Sequence, residues 1–212
     1  MSSEPVEQYM KSILRTLFCN SIIEKISSTE SLAEQLVVSS TYIDEVCEYL
    51  FELGLISMNG DEWSLTDIGR KNIVVVMAGG VFDIIHPGHI FTLSSAKRLG
   101  DILIVSIARD STVRKLKDHL PINTEEKRVT LVEALKCVDI AILGSEINMF
   151  QMVEKVKPNI IVLGYDQKHD AEKLKKDAED KGIEIEVTRF DTPLPNLKSS
   201  NILKNSKDVD EF

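Results

Sequence analysis

Residues 73–89 read Ile73-Val74-Val75-Val76-Met77-Ala78-Gly79-Gly80-Val81-Phe82-Asp83-Ile84-Ile85-His86-Pro87-Gly88-His89. The run Ile73–Met77 is apolar without alternation, the mark of a strand buried on both faces. A helical pattern follows, from His89 to Leu99. Two glycines therefore stand where a strand turns over, and two histidines stand where a helix opens. A helix N-terminus aims N–H groups at an anion, and glycine lets backbone approach it closely. The stretch predicts a site for phosphoryl groups.

Beyond it, strands and helices alternate. Ile102–Ile107, Ile140–Leu143 and Ile160–Leu163 read as further buried strands, and Ile183–Val187 alternates as an edge strand would. Helical patterns cover Asp110–Asp118, Thr124–Lys136, Met149–Val156 and Asp170–Lys181, the last closed by Gly182, and a final helix is expected near Ser199-Ser200. Five strands with helical crossovers predict an α/β fold over residues 73–212, with a Rossmann-like, doubly wound, parallel five-stranded sheet. Ligands of such sheets bind beyond the carboxyl ends of the strands, where strand order reverses. Gly79, Asp110, Gly164 and Arg189 fall just past strand ends and are expected to converge on one cleft.

Before the motif, residues 1–72 predict a small winged-helix domain. Val6–Phe18 has a helical period, Ser31-Leu32-Ala33-Glu34 reads as a capping box opening a helix to Leu36, and Thr41–Leu53 is a third helix ended by Gly54. Leu55-Ile56-Ser57 and Trp63-Ser64-Leu65 flank Asn59-Gly60, a hairpin signal. This segment resembles winged-helix domains of transcription regulators. Its five basic residues face twelve acidic ones, and the helix that would enter a major groove carries Asp44, Glu45, Glu48 and Glu52 with no Lys or Arg. Phosphate contacts supply most affinity for DNA and need basic side chains. DNA is therefore not an expected partner; a protein-contact or dimerisation module, or a substrate lid, fits better.

The whole chain of 212 residues carries a net charge of -9, which gives no pull toward nucleic acid or anionic membrane. Its start lacks the order of a signal peptide, and Ile73–Phe82 is too short to span a bilayer. Cys19, Cys47 and Cys137 are scattered in apolar patterns and read as buried, reduced thiols. A cytoplasmic protein with no membrane partner is expected, and a homodimer would suit an apolar edge or the winged helix.

Three readings of His86 and His89 are open. They could pack or cap a turn, chelate a metal with help from His119 or His169, or donate hydrogen bonds to phosphoryl oxygens. The third is favoured by the glycine-rich turn. Donors aimed at charge developing in a transition state are each worth roughly 3–4 kcal/mol in other enzymes. No Ser-His-Asp or Cys-His arrangement is visible in the sequence.

Gly-Gly-Val-Phe-Asp-Ile-Ile-His-Pro-Gly-His resembles the signature of the HxGH nucleotidyltransferases. Further segments narrow the resemblance: Ala108-Arg109-Asp110, Glu125-Glu126-Lys127-Arg128, Val132–Leu135 with Val138-Asp139, Leu163–Gln167, and Lys198–Ile202. This series is similar to the archaeal-type FAD synthases (FMN adenylyltransferases) and spans about residues 73–205.

The resemblance implies transfer of AMP from ATP to FMN, giving FAD and pyrophosphate, with Mg²⁺ or another divalent cation whose ligands are not assigned. By the same likeness, Gly80, Val81, Phe82 and Pro87 line the nucleotide, His86 and His89 stabilise the transition state, and Gly88 allows close phosphate approach. Lys117 (or Lys115) would draw in phosphate, Arg128 would reach the β/γ-phosphates, and Asp166 would contact base or ribose. Ser199 and Ser200 would hold phosphate at a helix start, and Arg189 would add positive charge. Each has a plainer alternative: a solvated lysine, a surface salt bridge, a capping carboxylate, ordinary N-caps. Asp83 reads as orienting the turn or a histidine.

Two positions depart from the family's pattern: Val81 stands where many relatives have Thr, and Pro193–Lys198 holds no cysteine. The main rival is a cytidylyltransferase using CTP and glycerol 3-phosphate or a related alcohol phosphate; pantetheine-phosphate adenylyl transfer is weaker. From another class, a winged-helix regulator could sense a nucleotide without turnover.

Overall fold

The computed structural model describes residues 3–164 and 170–191, with side chains from residue 9 onward. The chain divides into two compact units, Met1–Val74 and Val75–Phe212.

The first unit runs α1 (Ser3–Ile22), α2 (Thr29–Leu36), α3 (Ser40–Glu52), β1 (Ile56–Asn59), β2 (Glu62–Leu65) and α4 (Asp67–Arg70). Ile13, Leu17, Leu32, Ile43, Leu50 and Trp63 are buried in it. The Trp63 indole N–H donates to Thr29 Oγ1 at 3.0 Å, tying the hairpin to the start of α2.

Two local expectations are corrected here. The N-cap of α2 is Ser28, whose Oγ accepts the Ser31 N–H at 3.2 Å, and the Ser31 hydroxyl donates instead to the Ile26 carbonyl. The helix thus begins three residues before the capping box suggested. In the hairpin Asn59 pairs with Glu62, so Gly60-Asp61 forms the turn, with a positive φ (61°) at Gly60 and not at Asp61. That is the type II′ pattern. The end of α3 is as expected: Gly54 is left-handed at φ 69°.

The second unit runs β3 (Val75–Gly80), α5 (Pro87–Lys97), β4 (Ile102–Ile107), α6 (Asp110–Lys117), α7 (Glu125–Glu133), β5 (Ile140–Leu143), α8 (Phe150–Val156), β6 (Ile160–Leu163), α9 (Ala171–Glu179) and β7 (Glu186–Arg189). All five strands are parallel, in the order β5-β4-β3-β6-β7. This is the Rossmann-like α/β sheet the alternation predicts. Strand order reverses between β3 and β6, which puts the crevice beside the end of β3.

β3 starts two residues later than the apolar run and continues through both glycines, which pair with Ser106 and Ile107 of β4. β7 also lies later than its alternating pattern. Glu186 N donates to the Asn159 carbonyl at 2.8 Å, so pairing with β6 sets its start. Val76, Ala78, Phe82, Leu93, Leu103, Val105, Ile107 and Val132 form a core beneath the carboxyl end of β3. Among the described residues no helix is long and apolar enough to cross a membrane. The helix expected near Ser199-Ser200 lies outside the described residues.

Candidate active site

From Gly80 the chain rises through residues 81–85 to α5, whose first residue is Pro87. Proline suits that position, because its missing N–H would have no helical partner there. His86 is the N-cap, in extended backbone, and its side chain makes no capping hydrogen bond. His89 N donates to the His86 carbonyl at 2.9 Å, which sets one imidazole above the other. The two rings stack with centroids 3.8 Å apart and planes 21° off parallel. Nδ1 of each ring is shielded from solvent.

Phe82 supports this pair. Its ring lies 5.0 Å from that of His89, tilted by 58°. Its φ is +52°, a left-handed value that costs energy in a bulky aromatic residue and persists only where the surroundings impose it. Gly80 makes the room: a Cβ there would meet Phe82 Cε2 at 2.7 Å. The same atom on Gly79 would find ordinary contact with Ser106 O at 3.5 Å. Thus the second glycine accommodates a ring of the protein itself.

Asp83 is buried, and its carboxylate accepts N–H bonds from Ile122 (3.0 Å) and Asn123 (2.9 Å). Its carbonyl accepts the Asn123 side-chain amide at 2.8 Å. The expectation that Asp83 orients the turn fits this placement. Its bonds tie the motif to the segment following α6, which carries the exposed Lys115 and Lys117 at its end.

Arg128 is placed differently from the expectation of a phosphate contact. It is 0% exposed. Nη1 donates to the Val81 carbonyl at 2.6 Å, Nη2 to Asp110 Oδ1 at 2.6 Å, and Nε to the Asn123 carbonyl at 3.0 Å. The guanidinium braces three loops from beneath, which corrects both the phosphate reading and its surface salt-bridge alternative. Beside it, Arg109 donates to the Gly144 carbonyl at 3.0 Å and pairs with Glu125 at 2.9 Å, while the Asp110 N–H donates to the other Glu125 oxygen at 2.7 Å. Glu126, in the first turn of α7, is held below the usual carboxylate range by its own amide and by the Thr124 hydroxyl.

Arg189 ends β7 and donates through Nη1 to the Gly164 carbonyl at 2.7 Å. Of the four residues expected past strand ends, Asp110 and Gly164 lie there, whereas Gly79 is within β3 and Arg189 is the last residue of β7; Arg128 joins Asp110 to the motif, and Arg189 joins Gly164. Asp166, Ser199 and Ser200 lie outside the described residues, as do Gln167 and His169. His119 is exposed, with Nδ1 2.9 Å from the Leu120 carbonyl. Among the described residues no three or more His, Cys, Asp or Glu side chains are grouped to hold a metal ion.

Two hollows flank the site. One, of about 540 Å³, is lined by Ile85, His86, Pro87, Ile90 and Phe91. The other, of about 450 Å³, lies past the end of β5, where Arg109 meets residues 142–147 and α8. Sequence reasoning missed Arg109, Asn123 and Glu125 as site-builders, because their partners lie on other loops. It also missed the hollow past β5, of whose lining only Arg109 belongs to a segment singled out in the sequence.

Comparison with known proteins finds a family and several relatives. A family described as cytidylyltransferase-like matches residues 77–205. An FAD synthase of Aciduliprofundum boonei is 52% identical over 118 residues, 56% of this chain and 78% of that protein. An FAD synthase of Thermoplasma acidophilum is 48% identical over 132 residues, 62% of this chain and 92% of that one. Among solved structures, a lipopolysaccharide core biosynthesis protein of Thermoplasma volcanium is 48% identical with a TM-score of 0.55, covering 57% of this chain and 98% of that chain. A protein of unknown function from Archaeoglobus fulgidus, 17% identical with a TM-score of 0.50 over 59% of this chain and 95% of its own, shares the fold.

Proposed function

The chain belongs to the cytidylyltransferase-like family, and from that premise we propose that it transfers AMP from ATP to FMN, giving FAD and pyrophosphate. The observation that carries the reading is the stacked His86–His89 pair at the N-terminus of α5, beside the carboxyl end of β3. The choice of FMN as acceptor is supported by the FAD synthase relatives at 52% and 48% identity.

In this reading an oxygen of the FMN phosphate attacks the α-phosphorus of ATP in line. The new P–O bond forms as the bond to the β-phosphate oxygen breaks, and pyrophosphate departs. The FMN phosphate is already ionised, so no general base is required. The imidazoles donate to oxygens that gain charge as the bonds exchange, the kind of preorganised stabilisation that dominates phosphoryl and nucleotidyl transfer. Gly88 is buried in the first turn and lets phosphate come close. Gly80, Val81, Phe82 and Pro87 form the nucleotide wall, with Asp166, Arg189, Ser199 and Ser200 as further contacts, and Lys117 attracts phosphate from the end of α6. Arg128 and Asp83 are positioning residues that hold this turn.

A divalent cation, Mg²⁺ by preference, would enter with ATP, held by phosphate oxygens and water as Mg²⁺ usually is. The described residues offer no cage of their own for it.

The first unit is read as a winged-helix-like module for protein contact. Asp44, Glu45, Glu48 and Glu52 are all exposed on α3, a face that would repel DNA phosphates. The test of the enzymatic reading offers the full chain ATP or CTP with FMN or glycerol 3-phosphate and Mg²⁺, and identifies products chromatographically. FAD with pyrophosphate from ATP and FMN is expected. CDP-glycerol as the main product would replace this reading with the cytidylyltransferase alternative.

A further inference from the structure

Resting on the reading of the first unit as a module for protein contact, we infer that α3 and the β1–β2 hairpin bind a basic, amphipathic polypeptide helix, with Phe51 and Met58 as the apolar anchors. From Ile26 to Gly69 the chain holds no Lys, Arg or His. Over the same stretch α3 and the hairpin carry Asp44, Glu45, Glu48, Glu52, Asp61 and Glu62, all of them exposed. Asp44, Glu48 and Glu52 follow at four-residue spacing, so like charges line one stripe of α3, an arrangement that destabilises a helix. Among the described residues none of these six carboxylates pairs with a cation. The face carries a repulsion that a cationic partner would offset.

An apolar patch adjoins the stripe. Phe51 stands one turn after Glu48 on α3 and is 52% exposed, and Met58 on β1 is 47% exposed. Buried Trp63 backs both. The Phe51 ring meets it edge-on with centroids 6.2 Å apart, and Met58 is its partner across the hairpin, which puts the two side chains on one face of the ladder. The Trp63 indole is itself fixed by its bond to Thr29. An aromatic ring on a rigid support beside an adaptable thioether is the composition of a protein-recognition anchor.

Charge decides the occupant. Nucleic acid and anionic membrane have the same sign as this face and are repelled. A bare divalent cation would leave Phe51 and Met58 uncovered. A second copy of the chain, with a net charge of -9, would add repulsion. A helix with Lys or Arg along one stripe and Leu-sized side chains along the other meets both halves of the face.

The test is fluorescence anisotropy of labelled probes titrated with the full chain. The probes are a helical Lys/Leu amphipathic peptide, an all-Lys peptide of equal charge, a Glu/Leu peptide and a DNA duplex. The Lys/Leu peptide is expected to bind tightest, with affinity falling as salt rises. Glu45→Gln/Glu48→Gln/Glu52→Gln should weaken it by about ten-fold, and thermal stability should hold or rise because like charges are removed. Phe51→Ala and Met58→Ser should each weaken it by at least about three-fold and leave the all-Lys peptide unaffected. Glu179→Gln/Asp180→Asn, exposed at the end of α9 in the second unit, should change nothing. FAD formation should be the same in every variant. Equal affinity for the Lys/Leu and all-Lys peptides overturns the inference, as does an equal loss in the α9 variant or a triple variant that loses stability. Self-association abolished by the triple variant overturns it in favour of a second copy. A chain that prefers the duplex to every peptide defeats the protein-contact reading, and this inference with it. A chain that binds neither the duplex nor the Lys/Leu peptide defeats this inference alone.

Discussion

Arg128 Nη2 lies 2.6 Å from Asp110 Oδ1, and the arginine of this pair is wholly removed from solvent. The same guanidinium holds the Val81 carbonyl and the Asn123 carbonyl, so one buried cation fixes the turn after β3, the start of α6 and the approach to α7. Removing it strands a carboxylate and two carbonyls. Arg128→Ala should destabilise the second unit by about 3–5 kcal/mol, read from urea unfolding. Arg128→Lys should recover little, because an ammonium cannot reproduce the planar fork. A stable Arg128→Lys enzyme with weakened ATP binding alone would return Arg128 to a phosphate role.

Gly80 and Phe82 form a second dependence. Gly80→Ala places a Cβ 2.7 Å from the Phe82 ring, which backs His89. The substitution should cost about 1–3 kcal/mol by overpacking and lower turnover further by shifting the imidazole. Gly79→Ala, with only ordinary contact, should be tolerated. Thermal denaturation and FAD formation, measured on both variants, compare the two positions.

Asp83 predicts a local effect. Its carboxylate is the acceptor for the Ile122 and Asn123 amides. Asp83→Ala should cost about 1–3 kcal/mol for each orphaned donor, and Asp83→Asn less, since one oxygen remains. Hydrogen exchange should accelerate at those two amides in both variants. Protection equal to wild type in Asp83→Ala would refute the assignment.

What was legible in the sequence follows from what is local. Ile102–Ile107, Ile140–Leu143 and Ile160–Leu163 are strands with the bounds their unbroken apolar runs mark. Strands with a helix layer on either face need no alternation. The helix start at Ser28 was hidden, because Ser31 with Glu34 fits the capping pattern better than Ser28 with Ser31. β7 was misplaced because its bounds come from pairing with β6 and not from its own pattern. The histidine pair could be read because both residues sit on one helical turn. The role of Arg128 could not: only Asn123 is near it in sequence, while Val81 and Asp110 lie on other segments of the chain, joined to it by tertiary packing.

Cys47 carries a pH prediction for the first unit. Burial first, and then the charge of Asp44, pushes its thiol from an ordinary 9.0 up to about 12. Between those values the unfolded chain gives up this proton while the folded chain keeps it. The unfolded state then binds fewer protons, so stability falls as pH rises from 9 toward about 12 and is unaffected by this group below 9. Cys47→Ala should flatten that part of the profile. Alkylation of Cys47 at pH 8 should proceed only through unfolding, and rapid labelling of the native protein would count against its burial.

The most direct test of the central claim is the rate of FAD formation from ATP and FMN by the wild-type chain and by the His86→Ala/His89→Ala double variant. The account predicts FAD and pyrophosphate in equal amounts from wild type, with a loss of at least about 10²–10³-fold in the double variant while it stays folded. Full turnover by the double variant, or no FAD from the wild-type chain, would contradict it.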